Sequence, residues 1–380
     1  MTVTGDTDIG SYTDVEIMEQ LRTGYRNERF RFEHLDGSNQ SLRFLTTIMP
    51  GARIDYQYFA DIKRTITFRM WETEEESKLI KWERDRIRAH MDLKMPDGGW
   101  ARRSLGVFLP TSPRRSSSKG SVFLDLQGYD QTLILRENTY TTTQLWTAGY
   151  LLTDLASRVL ADNGITAQVV ASAKQLPTEK SWLVGTTHAQ FLQDIIEKLG
   201  YGSVWFDGEG LAHVEPYVLP ENRTPEISYA TDEFSITKEE GTDFLDLFKV
   251  PNRWTSVKSQ PDTTTVLSAT ITNSDPEDPS STVGRGRVIT DIRTDSQAVD
   301  QEALNQEVRR IAAEAQQKYR EIEFTTGLVP LHAEATTVQL QHDPLELNDV
   351  YNETKWSMDL KAGGLMTHAA RKAVVVGDVT

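Results

Sequence analysis

The spacing of apolar residues changes twice along this chain, and the change limits the folds that the chain can adopt. In residues 28–140 apolar and polar residues alternate, as around Phe30, Phe32 and His34, which is typical of strands. In residues 141–219 apolar residues recur at helical spacing, and after residue 220 the alternation returns. The pattern predicts an α+β chain that is mainly β, with a small α+β domain between two β-rich domains.

Segment boundaries follow from the same pattern and from turn residues. The predicted units are, in chain order, a polar N-terminal arm at 1–27, a first antiparallel β-barrel-like domain at 28–140, a small α+β domain at 141–219 and a second β-barrel-like domain at 220–380. A short helix is expected at 14–21 in the arm. Residues 110–120, PTSPRRSSSKG, are predicted to be a mobile loop. The second β-rich domain carries an inserted helix at about 299–322.

One helix of the small domain has signals at both ends. Thr187 and Gln190 form the T-x-x-Q pattern of a capping box, and Gly200 stands where a helix ends on a left-handed residue. The helix between them has one apolar face, Phe191, Leu192, Ile195, Ile196 and Leu199. A hairpin is expected next, with its turn at 207–210. A helix at 148–161 followed by a strand at 165–170 repeats this helix–glycine–strand order, which predicts two copies of one unit.

The glycines that follow this helix, Gly200 and Gly202, resemble a phosphate-binding loop at first sight. Such a loop needs a strand before it and a helix N-terminus after it, because free N–H groups bind the phosphate. Here the glycines meet the carbonyl end of a helix, which repels anions. The pattern therefore indicates turns and no nucleotide site.

The inserted helix at about 299–322 has the clearest amphipathic pattern in the chain. One face carries Leu304, Val308, Ile311, Ala315 and Tyr319. This face is expected to pack inside its own subunit or against a second copy.

Composition excludes several classes of function. The chain has 380 residues, a net charge of −15 and no cysteine, which excludes disulfides, thiolate chemistry and cysteine-bound metals. The acidic charge argues against a protein that grips nucleic acid by its phosphates, and it suits a surface that nucleic acid must pass without sticking. No apolar run is long enough to span a membrane, and the first residues lack a signal-peptide pattern.

Catalytic and metal-binding motifs are scarce. No zinc-protease, hydrolase-elbow, P-loop or strict EF-hand pattern occurs, so no catalytic, cofactor-binding or metal-binding residue is assigned. The histidines are scattered, and none is paired at metal-binding spacing: His34, His90, His188, His213, His332, His342 and His368. The best acidic candidate, Asp275, Glu277 and Asp278, lies between prolines and favours a solvated turn. Two carboxylates from distant strands could form a glycosidase pair, although nothing local indicates one.

Nine segments, taken in order, resemble those of a known family. They are RFRFEHLDGSNQSLRF, SLGVFLPTSP, VFLDLQGYDQTLIL, LLTDLASRVLADNGI, the segment from LPTEKSW to PEISY, VPNRWTSVKS, the segment from EALNQEV to LVPLH, DPLELNDVYN and LKAGGLMTHAARKAVV. Their order and spacing over residues 28–376 resemble a bacteriophage tail hub protein, the baseplate or tail-tip component of the minor tail protein family.

The resemblance implies a structural virion protein and no enzyme. It implies a homotrimer whose two barrel domains per subunit form a pseudo-sixfold ring, which joins the tail tube to the tail tip and lets DNA pass during ejection. The implied neighbours are the distal tail ring protein, the tape measure protein and tail-tip or fibre proteins. The implied location is the virion tail, assembled in the host cytoplasm. Larger relatives carry receptor-binding or wall-cleaving extensions, which are expected here in other chains.

Two other functions stay open at this point. A carbohydrate-binding or receptor-binding tail-tip protein would need exposed aromatic platforms, and the chain has eight tryptophans, most of them in strand-like surroundings where core packing is the usual role. A tail-associated cell-wall hydrolase would need a catalytic pair that the motifs do not reveal.

Overall fold

The structure is a computed structural model, which describes residues 8–231, 236–245, 248, 250–258, 266–316 and 320–372. The protein is mainly β and contains one large sheet, three small sheets and six helices within this part of the chain. The predicted fold class, mainly β with helices, is confirmed.

The first β-rich region contributes nine strands and two helices. The strands are β1 (Ile9–Gly10), β2 (Glu28–Leu35), β3 (Ser41–Leu45), β4 (Ala52–Gln57), β5 (Arg64–Trp71), β6 (Arg86–Lys94), β7 (Trp100–Pro110), β8 (Arg114–Ser118) and β9 (Ser121–Tyr129), and the helices are α1 (Asp14–Arg22) and α2 (Thr132–Glu137). Helix α1 starts at a capping box formed by Thr13 and Glu16. Its residues Ile17 and Leu21 are buried in the main core, so the polar arm is anchored to the first sheet.

The small domain has the predicted helix–strand units. It contains β10 (Gln144–Trp146), α3 (Leu152–Asp162), β11 (Ala167–Val169), β12 (Lys180–Trp182), α4 (His188–Leu199), β13 (Trp205–Phe206) and β14 (Ala212–Val214). Strands β11 and β13 both pair with β14, in parallel and antiparallel respectively. Apolar faces of α3 and α4 share one core with this sheet.

The last region contributes nine strands and two helices. They are β15 (Ile227–Tyr229), β16 (Thr237–Leu245), β17 (Arg253–Lys258), β18 (Leu267–Thr272), α5 (Thr282–Arg285), β19 (Thr290–Arg293), α6 (Gln301–Gln316), β20 (Arg320–Gly327), β21 (Thr337–His342), β22 (Leu347–Leu360) and β23 (Leu365–Lys372). Strands β17, β18 and β19 form a separate sheet, and α6 covers it. Leu304, Val308 and Ile311 of α6 are buried there, as their spacing predicted, whereas Tyr319 lies outside the described residues.

One sheet of 15 strands joins the two β-rich regions. Its main path runs β16-β20-β23-β22-β4-β5-β9-β7-β6-β2-β3, and the junction is the antiparallel pair of β22 and β4. The predicted pair of β-barrels is not confirmed, because this path ends at β16 and β3 and no closed barrel forms among the described residues. The sequence shows alternation within strands but not which distant strands will pair. The domain boundaries therefore stay a prediction.

Two local predictions differ from the structure. Residues 110–120 were predicted to be a loop, yet Arg114–Ser118 pairs with β9 as an antiparallel hairpin. Serine and arginine do not favour strands, so this pairing comes from the neighbouring strand. The inserted helix was predicted to reach residue 322, but β20 begins at residue 320. The strand predicted at 373–376 lies outside the described residues.

A glycine turn brings the small domain against the first sheet. A Cβ atom on Gly208 would lie 2.1 Å from the carbonyl oxygen of Ser104 in β7, so only glycine permits this approach. Beside it, the Gln131 amide donates a hydrogen bond of 2.6 Å to the carbonyl oxygen of Gly210. The turn of the predicted hairpin is therefore also the contact that positions the domain.

Candidate functional site

One face of strands β20, β23, β22, β4, β5 and β9 carries mainly exposed or half-buried polar residues. Alternate residues of these strands point into the main core, and the residues between them point outward. We name the outward set the open face. Its polar members are Arg53, Asp55, Thr65, Thr67, Arg69, Asp125, Gln127, Glu321, Glu323, Thr325, Lys355, Ser357, Asp359, Thr367 and Arg371, and the aromatic pair of Trp71 and Phe123 lies at its end on β5 and β9.

The open face is polar and its charges are largely paired. Arg53 lies 2.9 Å from Asp55 and 3.4 Å from Asp359, all of them on the open face. Two more pairs cross strands: Arg69 with Asp125 at 2.5 Å, and Arg371 with Glu321 at 2.9 Å. Five carboxylates and four basic side chains make the face slightly acidic.

Hydrogen bonds lower the pKa of one of these carboxylates, that of Asp125. The Arg69 guanidinium donates to Asp125 and holds the pKa of that carboxyl below its usual range, so Asp125 is ionised at neutral pH. Three of the four basic side chains of the face, Arg53, Arg69 and Arg371, are paired with its carboxylates.

The open face is concave where β20, β23, β22 and β4 meet. A groove of about 530 Å³ lies there, and hydroxyl and charged side chains from these strands line it, with Glu240 and Thr242 of β16 at one side. At its centre the hydroxyls of Ser357 and Thr367 are 2.5 Å apart. Trp356, Phe324 and His368 lie at the floor, with their aromatic rings on the core side of the sheet.

Directly below this floor lies a buried polar cluster. We name His332, Glu353 and His368 the histidine cluster; all three side chains are completely buried. Nδ1 of His332 contacts one carboxylate oxygen of Glu353, and Nδ1 of His368 lies 2.5 Å from the other. The outer nitrogens each meet a hydroxyl group, at 2.6 Å from Tyr229 for His332 and 2.8 Å from Thr326 for His368.

Burial and the two imidazoles act in opposite directions on Glu353. Burial raises its pKa, but the charges and hydrogen bonds of His332 and His368 outweigh burial and hold that pKa at about 2. Burial also lowers the pKa of His368. At neutral pH the Glu353 carboxylate is therefore ionised. Among the described residues, only the imidazole groups of His332 and His368 lie within hydrogen-bond distance of it.

Strand pairing brings the histidine cluster together. Glu353 is on β22, His368 is on the adjacent β23, and His332 lies in the turn before β21. The nitrogen and oxygen atoms offered by the three residues lie within 4.8 Å of one another. Sequence spacing gave no sign of this, because the three residues are 15 to 36 positions apart in segments without a motif.

The acidic loop that the sequence singled out binds its own backbone. Asp275 accepts a hydrogen bond from the N–H of Glu277, and Asp278 accepts one from the N–H of Ser280. The Asn273 amide also donates to Asp278 at 2.6 Å. These contacts are those of a solvated turn, which was the interpretation favoured by its prolines.

The glycine-rich stretch has the geometry of a helix end. Gly200 ends α4 with φ 71° and ψ 28°, and the N–H of Tyr201 bonds to the carbonyl oxygen of Ile196 at 3.1 Å. Thr187 and Gln190 form both hydrogen bonds of the predicted capping box. The predictions for this helix are confirmed, and its glycines face carbonyl groups that do not attract a phosphate.

One tryptophan is exposed. All eight tryptophans lie within the described part of the chain, and Trp71 is the one that is exposed, at 48%. It lies in β5 beside Glu72 and Arg115 and pairs across strands with Phe123 of β9. Trp71 and Phe123 are the aromatic residues that a carbohydrate could contact on this pair of strands.

Three solved structures share this arrangement of strands and helices over nearly the whole chain. The tail protein from Neisseria meningitidis MC58 is 15% identical with a TM-score of 0.61, covering 90% of this chain and 97% of that one. The 43 kDa tail protein of prophage MuSo2 from Shewanella oneidensis is 13% identical with a TM-score of 0.60, covering 90% of this chain and 98% of that one. The chain has the fold of phage tail proteins.

A third tail-protein structure extends the likeness. Prophage tail protein gp18 from Listeria monocytogenes EGD-e is 11% identical with a TM-score of 0.56, covering 90% of this chain and 95% of that one. The resemblance to tail proteins seen in the sequence is thus confirmed in the fold. No protein-family model matches this chain, and no curated protein matches it. No helix in the described residues of this tail-protein fold is long and apolar enough to cross a membrane.

Proposed function

We propose that the protein is a structural hub of a phage tail, in which three copies form a pseudo-sixfold ring between the tail tube and the tail tip. The observation that carries the proposal is the open face, a broad polar sheet surface on a chain that has the tail-protein fold over 90% of its length. In this proposal the open face lines the channel through which DNA leaves.

The chemistry of the open face suits a channel wall. Arg53, Arg69 and Arg371 each bond to a carboxylate of the same face, so their guanidinium groups are partly neutralised toward phosphates. Threonine and serine hydroxyls fill much of the remaining surface. A slightly acidic, hydroxyl-rich wall repels DNA weakly and offers few sites where it can stick.

Assembly into a ring would also cover the ends of the large sheet. Strands β16 and β3 end its main path, and an exposed sheet edge presents backbone groups that can pair with another chain. Contacts between copies would protect these edges. The neighbours in the particle would be the distal tail ring, tape measure and tail-tip or fibre proteins, with no enzymatic role for this chain.

The test is to change the charge of the open face in assembled particles. Lysine at Asp55, Asp125, Glu323 and Asp359 should leave assembly and adsorption intact, because exposed ion pairs contribute only about 0–1 kcal/mol each. DNA passing within a Debye length, about 8–10 Å, should then be retained by the wall, so genome ejection slows most at low salt.

A matched variant controls for total charge. It carries four lysines at exposed carboxylates away from the open face, Glu75, Glu83, Asp162 and Glu179. This variant should eject DNA at the wild-type rate. Normal ejection from the open-face variant would contradict the proposed position of that face, and a monomer that degrades cell wall would contradict the proposed function.

A further inference from the structure

The hydrogen bond between Thr326 and His368 can be made with either residue as the donor. The Thr326 hydroxyl has one proton, and two acceptors compete for it: the carbonyl oxygen of Gly327 at 2.7 Å and Nε2 of His368 at 2.8 Å. A carbonyl oxygen can only accept. If the proton goes to Nε2, then Nδ1 of His368 carries the imidazole proton and donates it to Glu353, and the cluster is a closed hydrogen-bond network. If the proton goes to the carbonyl, then Nε2 of His368 carries the imidazole proton and donates it to the Thr326 oxygen.

That assignment leaves Nδ1 of His368 without a proton beside an acceptor. A neutral imidazole has one N–H, so Nδ1 then presents a lone pair 2.5 Å from a carboxylate oxygen of Glu353. Two lone pairs at this distance repel unless a cation lies between them. A metal ion would be such a cation, and metal binding requires this assignment, in which Nδ1 of His368 offers its lone pair and Nε2 keeps its proton.

His332 repeats the arrangement on the other side of Glu353. Its Nδ1 faces the second carboxylate oxygen, and its Nε2 faces the Tyr229 hydroxyl. Two imidazole nitrogens and a carboxylate thus converge, and the outer nitrogen of each ring has a hydroxyl partner. Metal-bound histidines usually donate their second N–H to such a partner, which fixes the ring.

We propose that the histidine cluster binds a divalent transition-metal ion, with Zn²⁺ as the best fit, through Nδ1 of His332, Nδ1 of His368 and the carboxylate of Glu353. Imidazole and carboxylate are ligands that suit zinc, and a soft sulfur ligand is not required. The ion would balance a buried negative charge that no lysine or arginine of the described residues contacts within ion-pair distance.

The geometry requires a small adjustment on binding. Zinc lies at about 2.0–2.2 Å from nitrogen and oxygen ligands, so the ligand atoms around it stand about 1 Å farther apart than the hydrogen-bonded atoms of the cluster. Rotation of the two rings would have to supply this separation. The ring of His368 stacks on Phe324 with centroids 4.5 Å apart, so this contact would change on binding.

The bound ion would have a structural role. It would join the turn that carries His332 to β22 and β23, directly under the floor of the groove in the open face. Such an ion contributes its binding free energy to folding. This inference does not depend on the ring or the channel proposed above.

The experiment measures metal in the purified full-length chain and its effect on stability. Elemental analysis after expression in zinc-supplemented medium should find about one zinc ion per chain. Removal with a strong chelator should lower the melting temperature, and Zn²⁺ added back should restore it. Because this arm uses the wild-type chain, it does not depend on whether a variant folds.

Variants then assign the metal to the cluster. Glu353→Gln should lose the zinc, whereas His213→Gln should keep it, because His213 bonds to Asp207 in the small domain. Thr326→Val should still bind zinc, with an affinity weaker by roughly 10- to 100-fold, because it removes an outer partner only.

Each other outcome overturns the proposal. Zinc far below one ion per chain with no response to chelator would show that the cluster is a network of hydrogen bonds only. Equal zinc in Glu353→Gln and wild type would show that the ion binds elsewhere.

Discussion

A side chain at Gly200 would destabilise the end of α4 in two separate ways. Its φ of 71° is in the left-handed region, where a Cβ atom meets the following carbonyl group. A Cβ built on Gly200 would also lie 2.5 Å from Oε1 of Gln306 in α6. Gly200→Ala therefore introduces a backbone cost and a contact with a neighbouring helix.

The two costs can be estimated separately. The left-handed conformation costs about 1–2 kcal/mol for a residue other than glycine. Gln306 is flexible, and moving its side chain off its preferred rotamer costs about 0.5–1.5 kcal/mol. The sum is about 1.5–3.5 kcal/mol, which corresponds to roughly 10- to 400-fold faster local opening at the end of α4.

Hydrogen exchange of the α4 amides measures this opening. Gly164→Ala is the matched control, because Gly164 also ends a helix at positive φ, 66°, yet a Cβ there has no atom within 4 Å among those described. Gly164→Ala should show the backbone cost only, as a roughly 5- to 30-fold increase in the exchange rate of amides at the end of α3. Adding Gln306→Ala to Gly200→Ala should reduce its effect to the level of this control. Unchanged exchange at α4 in Gly200→Ala would refute the reasoning.

Three further changes test packing and charge. Gly208→Ala places a Cβ against the Ser104 backbone, so it should detach the small domain and make the turn sensitive to protease. Protease resistance equal to that of the wild type would show that this contact is dispensable. Ile311→Asp buries an unpaired carboxylate in the core under α6 and should cost several kcal/mol, measured by urea unfolding, and a soluble, equally stable variant would contradict it. Burial raises the pKa of Glu33, but hydrogen bonds from His90 and other groups outweigh it and lower that pKa to about 2. Because the pKa of Glu33 is lower in the folded state, the ionised carboxylate stabilises the fold above the unfolded pKa, near 4.5, and this stabilisation is lost as pH falls toward 2. It amounts to about 2–3 kcal/mol. Glu33→Gln should therefore flatten the dependence of unfolding free energy on pH between 4.5 and 2.

Signals confined to a few neighbouring residues were readable from the sequence. The capping box of Thr187 and Gln190, the apolar face of α4 and the left-handed Gly200 are all as predicted, because each depends on residues within one or two helical turns. Strand positions were predicted for the same reason, since alternation is local.

Features that depend on distant pairing were not readable. Ser357 of β22 pairs with Asp55 of β4, 302 residues earlier, and nothing in either segment specifies the other. That pairing turns two predicted barrels into one sheet with two ends. Polar residues at 114–118 became a strand because β9 offered a partner.

The same cause explains the histidine cluster. His332, Glu353 and His368 lie in segments without metal-binding spacing, and they meet because β22 and β23 pair in the register that sets Trp356 opposite His368. Glycine offers a similar case: Gly208 was identified as a turn residue, but its close approach to Ser104 becomes visible only when the small domain is placed on the sheet.

The central claim is that three copies of this chain form a ring whose channel wall is the open face. A cryo-electron microscopy reconstruction of the tail tip that contains this chain tests it most directly. We predict threefold density for this chain around a central channel, with Asp55, Asp125 and Glu323 directed at the channel axis. A single copy per tip, or a ring whose open face is directed outward and whose channel is lined by other residues, would contradict the account.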